Sequence, residues 1–260
     1  VKIGNWNQER YLEEEAMKNY LEKKVRGDLI TQREDSLKRQ ILKPVSLSVT
    51  NDGRLHFGDV VMLMNVGAET RERSAVSINA DIYSVRTGPA PSIQAPCGVS
   101  AGRVQACTRT AFIITSVDGS PEGSALHFDQ KFALKTTSGF AGGVNKCTHI
   151  FWLILTLKSS YKVSLEAGNS SLSWWKLAHF DPRERLEHEG QPVPANEKVL
   201  IVHCKTNQAL AALGHQVLWT TYGKEYEVTA HTFFDSHKAE QDENHWIVCT
   251  SDAAGNKLEL

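Results

Sequence analysis

Residues 195–250 read A-N-E-K-V-L-I-V-H-C-K-T-N-Q-A-L, then L-W-T-T-Y-G-K-E-Y-E-V-T-A-H, and close with N-H-W-I-V-C-T. Runs of β-branched and leucine residues, or alternating polar and apolar residues, are typical of short strands. Gly214-His215 separates two apolar pieces and predicts a hairpin turn. Strands are predicted at residues 198–203, 225–230 and 245–248, and two short apolar pieces lie at 209–213 and 217–221. The stretch therefore predicts a β unit of about four strands that cannot bury both faces alone.

Two earlier stretches begin in a similar way. L-H-F starts at Leu55 and again at Leu126, and the third stretch starts at Val193; these starts lie 71 and 67 residues apart. About fifty residues after each start, an aromatic residue falls in a strand: Phe112, Trp175 and Trp246. A threefold period of this kind predicts three units around one core, with approximate bounds 44–119, 120–182 and 183–260. We therefore predict a mainly β protein with a β-trefoil of three pseudo-repeats, closed so that its sheet has no free edge.

Residues 1–43 have a different pattern, which predicts an N-terminal α-helical arm before a β-domain over 44–260. Acidic residues come first and basic residues follow, as a helix macrodipole favours, and Gly27 is a suitable stop. Leu12, Ala16 and Tyr20 recur at four-residue steps on one side of the helix. A second helix is predicted from Asp28 until Pro44 ends it. Two such helices have too little apolar surface to fold alone, so they lie either on the β-domain or on another protein.

Composition excludes several classes of function. The 260-residue chain has a net charge of −1, so no basic excess points to nucleic acid or to an anionic membrane surface. Its longest apolar run, residues 150–157, is far shorter than the roughly 20 residues that cross a bilayer and predicts a buried strand. Five cysteines without a C-x-x-C pair favour reduced thiols in the cytoplasm.

The search for catalytic chemistry gives a negative result. H-E-x-x-H, P-loop and G-x-G-x-x-G patterns are absent from the sequence. His231, Asp235 and His237 could hold a metal, but an ordinary polar loop is the better interpretation. Trp175 and Trp246 lie within apolar strands, which favours core positions over sugar-stacking platforms. We therefore predict a binding protein that is not an enzyme and has no catalytic residue, cofactor or metal. Residues 66–96 are interpreted as a long loop that is flexible or ordered by a partner.

The third unit also carries a resemblance to a known repeat. V-L-I-V-H at 199–203, T-N-Q-A-L at 206–210 and N-H-W at 244–246 resemble a MIR repeat, the β-trefoil repeat of protein O-mannosyltransferases and intracellular calcium-release receptors. The resemblance implies a MIR-like trefoil. It leaves a ligand- or glycan-binding module as the alternative function.

A second resemblance covers both ends of the chain. G-N-W-N at 4–7, C-G-V-S-A at 97–101, F-D-P-R at 180–183 and D-S-H-K at 235–238 resemble the cilia- and flagella-associated proteins. The resemblance implies a microtubule inner protein in the lumen of the A-tubule of axonemal doublets. Its implied partners are the α/β-tubulin lattice and other inner proteins, and its implied role is to support motile cilia and flagella.

Docking of this kind needs anchors, and the helical arm supplies the first candidates. Aromatic and large apolar residues are the favoured anchor types. The candidates are Trp6, Tyr11, Leu12, Tyr20 and Leu21. Packing of these residues against the trefoil is the equally weighted alternative.

Overall fold

A computed structural model describes residues 6–67, 72–79, 97–137, 151–156, 162–168 and 170–251. Helices α1 (Trp6–Arg26) and α2 (Ile30–Ile41) come first, and a short helix, α3 (Arg185–His188), comes later. The strands of the first unit are β1 (Val60–Asn65), β2 (Ser74–Asn79), β3 (Cys97–Gly102) and β4 (Ala111–Ser116). Those of the second are β5 (Lys131–Thr136), β6 (Phe151–Thr156), β7 (Lys162–Ala167) and β8 (Trp174–His179). Those of the third are β9 (Lys198–His203), β10 (Leu210–Thr220), β11 (Gly223–Ala230) and β12 (His245–Cys249).

The first and last strand of each unit form a closed barrel. Going round it, β1 pairs with β4, β4 with β5, β5 with β8, β8 with β9, β9 with β12 and β12 with β1, all antiparallel. A closed six-stranded barrel exposes no unpaired edge. The two middle strands of each unit form a hairpin, and the hairpins contact one another through β3–β11, β3–β7 and β7–β11 pairs. The prediction of a mainly β chain with N-terminal helices is confirmed.

The three segment starts meet in a ring of backbone hydrogen bonds. The N–H of Leu55 donates to the carbonyl of Val193 at 3.0 Å, that of Val193 to Leu126 at 2.8 Å, and that of Leu126 to Leu55 at 2.8 Å. All three side chains are fully buried. The starts that the sequence grouped are therefore neighbours, and they are equivalent in their hydrogen bonding.

The predicted aromatic positions lie in the core. Phe112, Trp175 and Trp246 have no exposed surface. The indole Nε1–H of Trp175 donates to the carbonyl of Leu153 at 3.1 Å, and that of Trp246 donates to Leu210 at 2.9 Å. Each buried indole thus satisfies its polar atom on the hairpin of its own unit, as a buried tryptophan requires. The interpretation of Trp175 and Trp246 as core residues is confirmed.

Two local predictions were wrong. Gly214-His215 makes no hairpin, because β10 continues through it with a register shift between Leu213 and Val217, and the β10–β11 turn comes at Thr221-Tyr222. A bulge absorbs the turn-forming residues without reversing the chain. In addition, part of the predicted loop at 66–96 is strand β2, whose buried Ser74 and Ser77 conceal the apolar pattern of a core strand. The interpretation of the rest of that loop falls largely on residues 68–71 and 80–96, outside the described residues.

The two N-terminal helices differ in their packing. Gly27 ends α1 at a φ of +78°, as predicted. Leu37 and Ile41 of α2 belong to the main apolar core, and the Thr108 hydroxyl donates to the Ile41 carbonyl at 2.6 Å. By contrast, α1 has no buried residue. The two alternatives for the arm therefore apply to different helices: α2 lies on the β-domain, and α1 remains exposed. The boundary between residues 43 and 44 stays a prediction.

Candidate interaction surfaces

Helix α1 presents its apolar side chains to solvent. The five predicted anchors have exposed fractions of 47–73%: Trp6, Tyr11, Leu12, Tyr20 and Leu21. Met17 and Val25, which the sequence places in the apolar stripe but which are not among the predicted anchors, are also exposed. Because the i, i+4 spacing of Met17, Leu21 and Val25 makes a second row beside Leu12, Ala16 and Tyr20, a partner can contact either row. Whether these residues bind a partner stays a prediction.

The charges of α1 are separated along its axis. Four of its five acidic residues lie within 9–15, and four of its five basic residues lie within 18–26. This order stabilises the helix through its macrodipole. The ion pairs Arg10–Glu14 and Glu22–Arg26, at 3.6 and 3.8 Å, are both exposed and so add little. The helix therefore keeps an acidic half and a basic half for a partner.

A groove of about 880 Å³ lies beside the turn between β10 and β11. Its lining includes the cationic Arg73, Arg103 and Lys224, together with Tyr222 and Tyr226. Among the described residues of the lining, three cationic side chains against one acidic residue, Glu72, favour acidic groups on a partner. The nearby Trp219, at the tip of the hairpin, is 81% exposed.

A buried ion pair packs against Tyr222, one of the residues that line this groove. Nη2 of Arg109 lies 2.5 Å from Oε1 of Glu225, and both side chains are almost completely buried. The Ser100 hydroxyl donates to the other carboxylate oxygen at 2.6 Å, and Nε of Arg109 donates to the Ile78 carbonyl at 2.7 Å. The guanidinium carbon lies 3.8 Å from the ring centre of Tyr222. Burial raises the pKa of Tyr222, and the Arg109 charge opposes that rise only in part.

Gly102 leaves room for this pair, which leads to a testable prediction. A Cβ at position 102 would lie 2.6 Å from Oε1 of Glu225 and 3.0 Å from the Ser77 hydroxyl. Gly102→Ala is therefore expected to lower the free energy of unfolding by about 1–3 kcal/mol, the usual cost of overpacking. Urea denaturation checks this value. Gly98→Ala on the same strand is the control, since its Cβ would only touch Asn79 at 3.7 Å. Equal stability of the two variants would contradict the packing described.

A histidine cluster lies at the end of β8. His179 ends that strand, Glu184 precedes α3, and His188 ends α3. One ligand atom from each of the three lies within 4.8 Å of the others. The sequence did not single out this group. The candidate metal ligands in the sequence were instead His231, Asp235 and His237. Asp235 accepts hydrogen bonds from the backbone N–H groups of His237 at 2.8 Å and of Ala239 at 2.9 Å, and these bonds stabilise its own loop.

Comparison with known proteins identifies the family. The model of the "Cilia- and flagella-associated protein 161-like domain" matches residues 33–164 and 146–251. Cilia- and flagella-associated protein 161 of Danio rerio is 49% identical over 270 residues, covering 100% of this chain and 90% of the relative. The chain belongs to this family. The proteins of the same name from Bos taurus and Mus musculus are each 39% identical, over 96% of this chain and 81% and 86% of their own lengths.

Solved structures share the fold of this family member. The SDF2-like protein from Arabidopsis thaliana has a TM-score of 0.51 at 16% identity, over 75% of this chain and 94% of that one. The yeast protein O-mannosyltransferase Pmt1–Pmt2 complex bound to the sugar donor has a TM-score of 0.50 at 14% identity, over 86% of this chain and 29% of that one. At these identities the likeness concerns the fold alone.

Membership of the cilia- and flagella-associated protein 161 family extends the earlier resemblance to the whole chain. The match to the family model begins at residue 33, after α1, whereas the alignment to the Danio rerio relative also covers α1. Among the described residues, no helix is long and apolar enough to cross a membrane. Burial raises the pKa of the Cys249 thiol to about 12, so this cysteine stays protonated and unreactive at neutral pH.

Proposed function

We propose that this family member is a structural microtubule inner protein of axonemal doublet microtubules. It binds the luminal wall of the A-tubule, through the α/β-tubulin lattice and neighbouring inner proteins, and so supports the movement of cilia and flagella. It acts without catalysis and binds neither nucleic acid nor membrane. The family assignment supports a ciliary role, and the geometry supports a docking role.

One observation carries the docking role. Helix α1 is 21 residues long and none of its residues is buried. Seven of its exposed residues are large and apolar: Trp6, Tyr11, Leu12, Met17, Tyr20, Leu21 and Val25. Burying apolar surface stabilises a complex, and aromatic residues dominate the binding energy of interfaces. The β-domain is expected to be the rigid body that carries this helix. We infer that its barrel and three hairpins are a MIR-like β-trefoil, as the hydrogen-bond ring of Leu55, Leu126 and Val193 supports.

The glycan-binding alternative finds less support. Trp175 and Trp246, which could have stacked on a sugar ring, are fully buried. Tyr222 and Tyr226 line a groove, but the groove also carries three cationic side chains, which fit acidic groups better than neutral sugars.

The test of docking changes α1 and leaves the core intact. Tyr11, Leu12, Tyr20 and Leu21 are replaced together by serine in a tagged chain that is expressed in ciliated cells lacking the endogenous protein. Loss of one anchor typically costs about 2 kcal/mol or more, so retention in isolated doublets is expected to fall at least about tenfold. Retention is measured by immunoblotting of salt-washed axonemes, and position by cryo-EM of the doublets.

Two controls make the result specific. Leu186→Ser changes a leucine on α3 that is 83% exposed, and it should leave retention unchanged. A chain without residues 1–26 should behave like the serine variant; the truncation stops there because α2 supplies Leu37 and Ile41 to the core. Normal retention of both α1 variants refutes docking through this helix. Absence of the wild-type chain from the A-tubule lumen refutes the proposed function itself.

A further inference from the structure

The segment H-F-D-P-R-E-R-L-E-H, residues 179–188, brings two imidazoles and a carboxylate together within ten residues. We propose that His179, Glu184 and His188 form a binding site for a divalent transition-metal ion, with Zn²⁺ the expected ion. This proposal does not rest on the proposed function. It differs from the expectation drawn from the sequence, which included no metal.

Backbone groups contact Nδ1 of both His179 and His188. Nδ1 of His188 lies 3.0 Å from the Glu184 carbonyl and, as an N–H, donates to it. Nδ1 of His179 accepts the backbone N–H of Asp181 at 3.3 Å and lies 3.4 Å from the carbonyl oxygen of that residue, so it has to take up the ring proton and donate to this carbonyl when Nε2 binds an ion. Metal-binding histidines are typically held in this way through the nitrogen that does not bind the ion. Nε2 of each ring is therefore the atom that can reach a metal.

The distances are close to those of a bound site. Nε2 of His179 lies 3.8 Å from Oε2 of Glu184, and the three ligand atoms lie within 4.8 Å of one another. Bonds of about 2.0–2.1 Å in a tetrahedral zinc site place neighbouring ligand atoms about 3.4 Å apart. The separations between ligand atoms therefore have to shorten by about 1 Å, a change that rotation of the side chains supplies.

The stacking of the two rings defines the movement that binding requires. The ring centres of His179 and His188 are 4.1 Å apart and their planes differ by 11°. A metal lies close to the plane of each imidazole that binds it, so two parallel stacked rings cannot share one ion. His188 must therefore turn about its Cβ–Cγ bond, which changes the geometry of its Nδ1–H hydrogen bond to the Glu184 carbonyl, and the Glu184 side chain, 56% exposed, must swing towards it. His179 is held more firmly, at the end of β8.

The local charges suit a cation. Arg185, a cationic side chain of the same segment, donates from Nε to the His179 carbonyl at 3.1 Å and from Nη2 to Oε2 of Glu240 at 3.0 Å. Glu240 thus balances the guanidinium, and Glu184 supplies the negative charge for the ion. Two imidazoles with one carboxylate favour Zn²⁺ over Mg²⁺ or Ca²⁺, which prefer oxygen ligands. Three protein ligands leave a fourth position for water or for a partner's side chain.

The test is metal titration of the full chain after tag removal and chelator treatment. Isothermal titration calorimetry with Zn²⁺ at neutral pH is expected to show one ion per chain, and Co²⁺ is expected to give the visible absorption of a tetrahedral site. His188→Gln should weaken Zn²⁺ binding by about 100-fold or more, and Glu184→Gln by about 10-fold or more. Glu184 is exposed and His188 is half-buried, and circular dichroism is expected to show that both variants remain folded.

Matched controls separate this site from adventitious binding. Glu187→Gln changes an exposed carboxylate on the same turn, and His215→Gln changes an exposed histidine on β10; neither should alter the affinity. The proposal is overturned if wild-type protein binds no Zn²⁺. It is also overturned if His188→Gln binds Zn²⁺ as tightly as wild type, or if His215→Gln removes the binding.

Discussion

Arg109→Met is expected to lower the free energy of unfolding by about 3–5 kcal/mol, as removal of one partner of a buried ion pair does. The Glu225 carboxylate would remain buried with the Ser100 hydroxyl as its hydrogen-bond donor but without its cation. The Ile78 carbonyl would lose the Nε–H donor, and Tyr222 would lose the guanidinium against its ring. Guanidinium chloride denaturation, followed by tryptophan fluorescence, measures the change.

The double variant Arg109→Met/Glu225→Met separates the ion pair from simple packing. Because both charges are gone, it should be more stable than Arg109→Met alone, since apolar replacement of a whole buried pair is often neutral. Arg10→Met removes an arginine from the exposed pair with Glu14 and should leave the unfolding midpoint unchanged. A double variant less stable than the single one would show that the carboxylate is not left unpaired as described.

Trp246→Ala is expected to lower the free energy of unfolding by about 3–5 kcal/mol, through the loss of buried area and the cavity left behind. Trp246 has no exposed surface and donates to the Leu210 carbonyl, so the change also removes one of that carbonyl's donors and leaves Nδ2 of Asn244 at 3.1 Å. Thermal unfolding followed by circular dichroism measures the effect.

Trp219→Ala is the matched control, because the same atoms are removed from a side chain that is 81% exposed. Its free energy of unfolding should stay within about 0.5 kcal/mol of wild type. Trp246→Phe should fall between the two alanine variants, since Phe112 occupies the corresponding place in the first unit. Similar losses for Trp219→Ala and Trp246→Ala would be incompatible with a core position for Trp246.

The repeated pattern predicted the barrel because each unit places the same residue types at the same depth. Leu55, Leu126 and Val193 lie where three chain segments meet, and Trp175 and Trp246 lie in fully enclosed positions. Buried residues at a fixed spacing indicate a repeat even where the sequences of the three units are otherwise dissimilar. The two N-terminal helices could be predicted because Gly27, Pro44 and the order of acidic and basic residues act on the helix that contains or adjoins them.

The missed features depend on contacts between distant residues. The Arg109–Glu225 pair joins residues 116 positions apart, and neither residue stands out among ordinary charged neighbours. The cluster of His179, Glu184 and His188 is local, but the approach of its ligand atoms depends on the direction of the chain between β8 and α3. The bulge in β10 was missed because glycine suits a bulge as well as a turn. Exposure of α1 could not be predicted, because its sequence fits either packing.

The ring formed by Leu55, Leu126 and Val193 also constrains biosynthesis. Its three members come from different thirds of the chain, so the ring cannot close until the ribosome has released residues well beyond 193. Pairing of strands that are distant in sequence is slow, and an incomplete β-sheet exposes unpaired strand edges that promote aggregation. A chain that terminates before the third unit therefore keeps backbone groups unpaired at its centre. Such a product is expected to be cleared by proteolysis rather than to retain partial function.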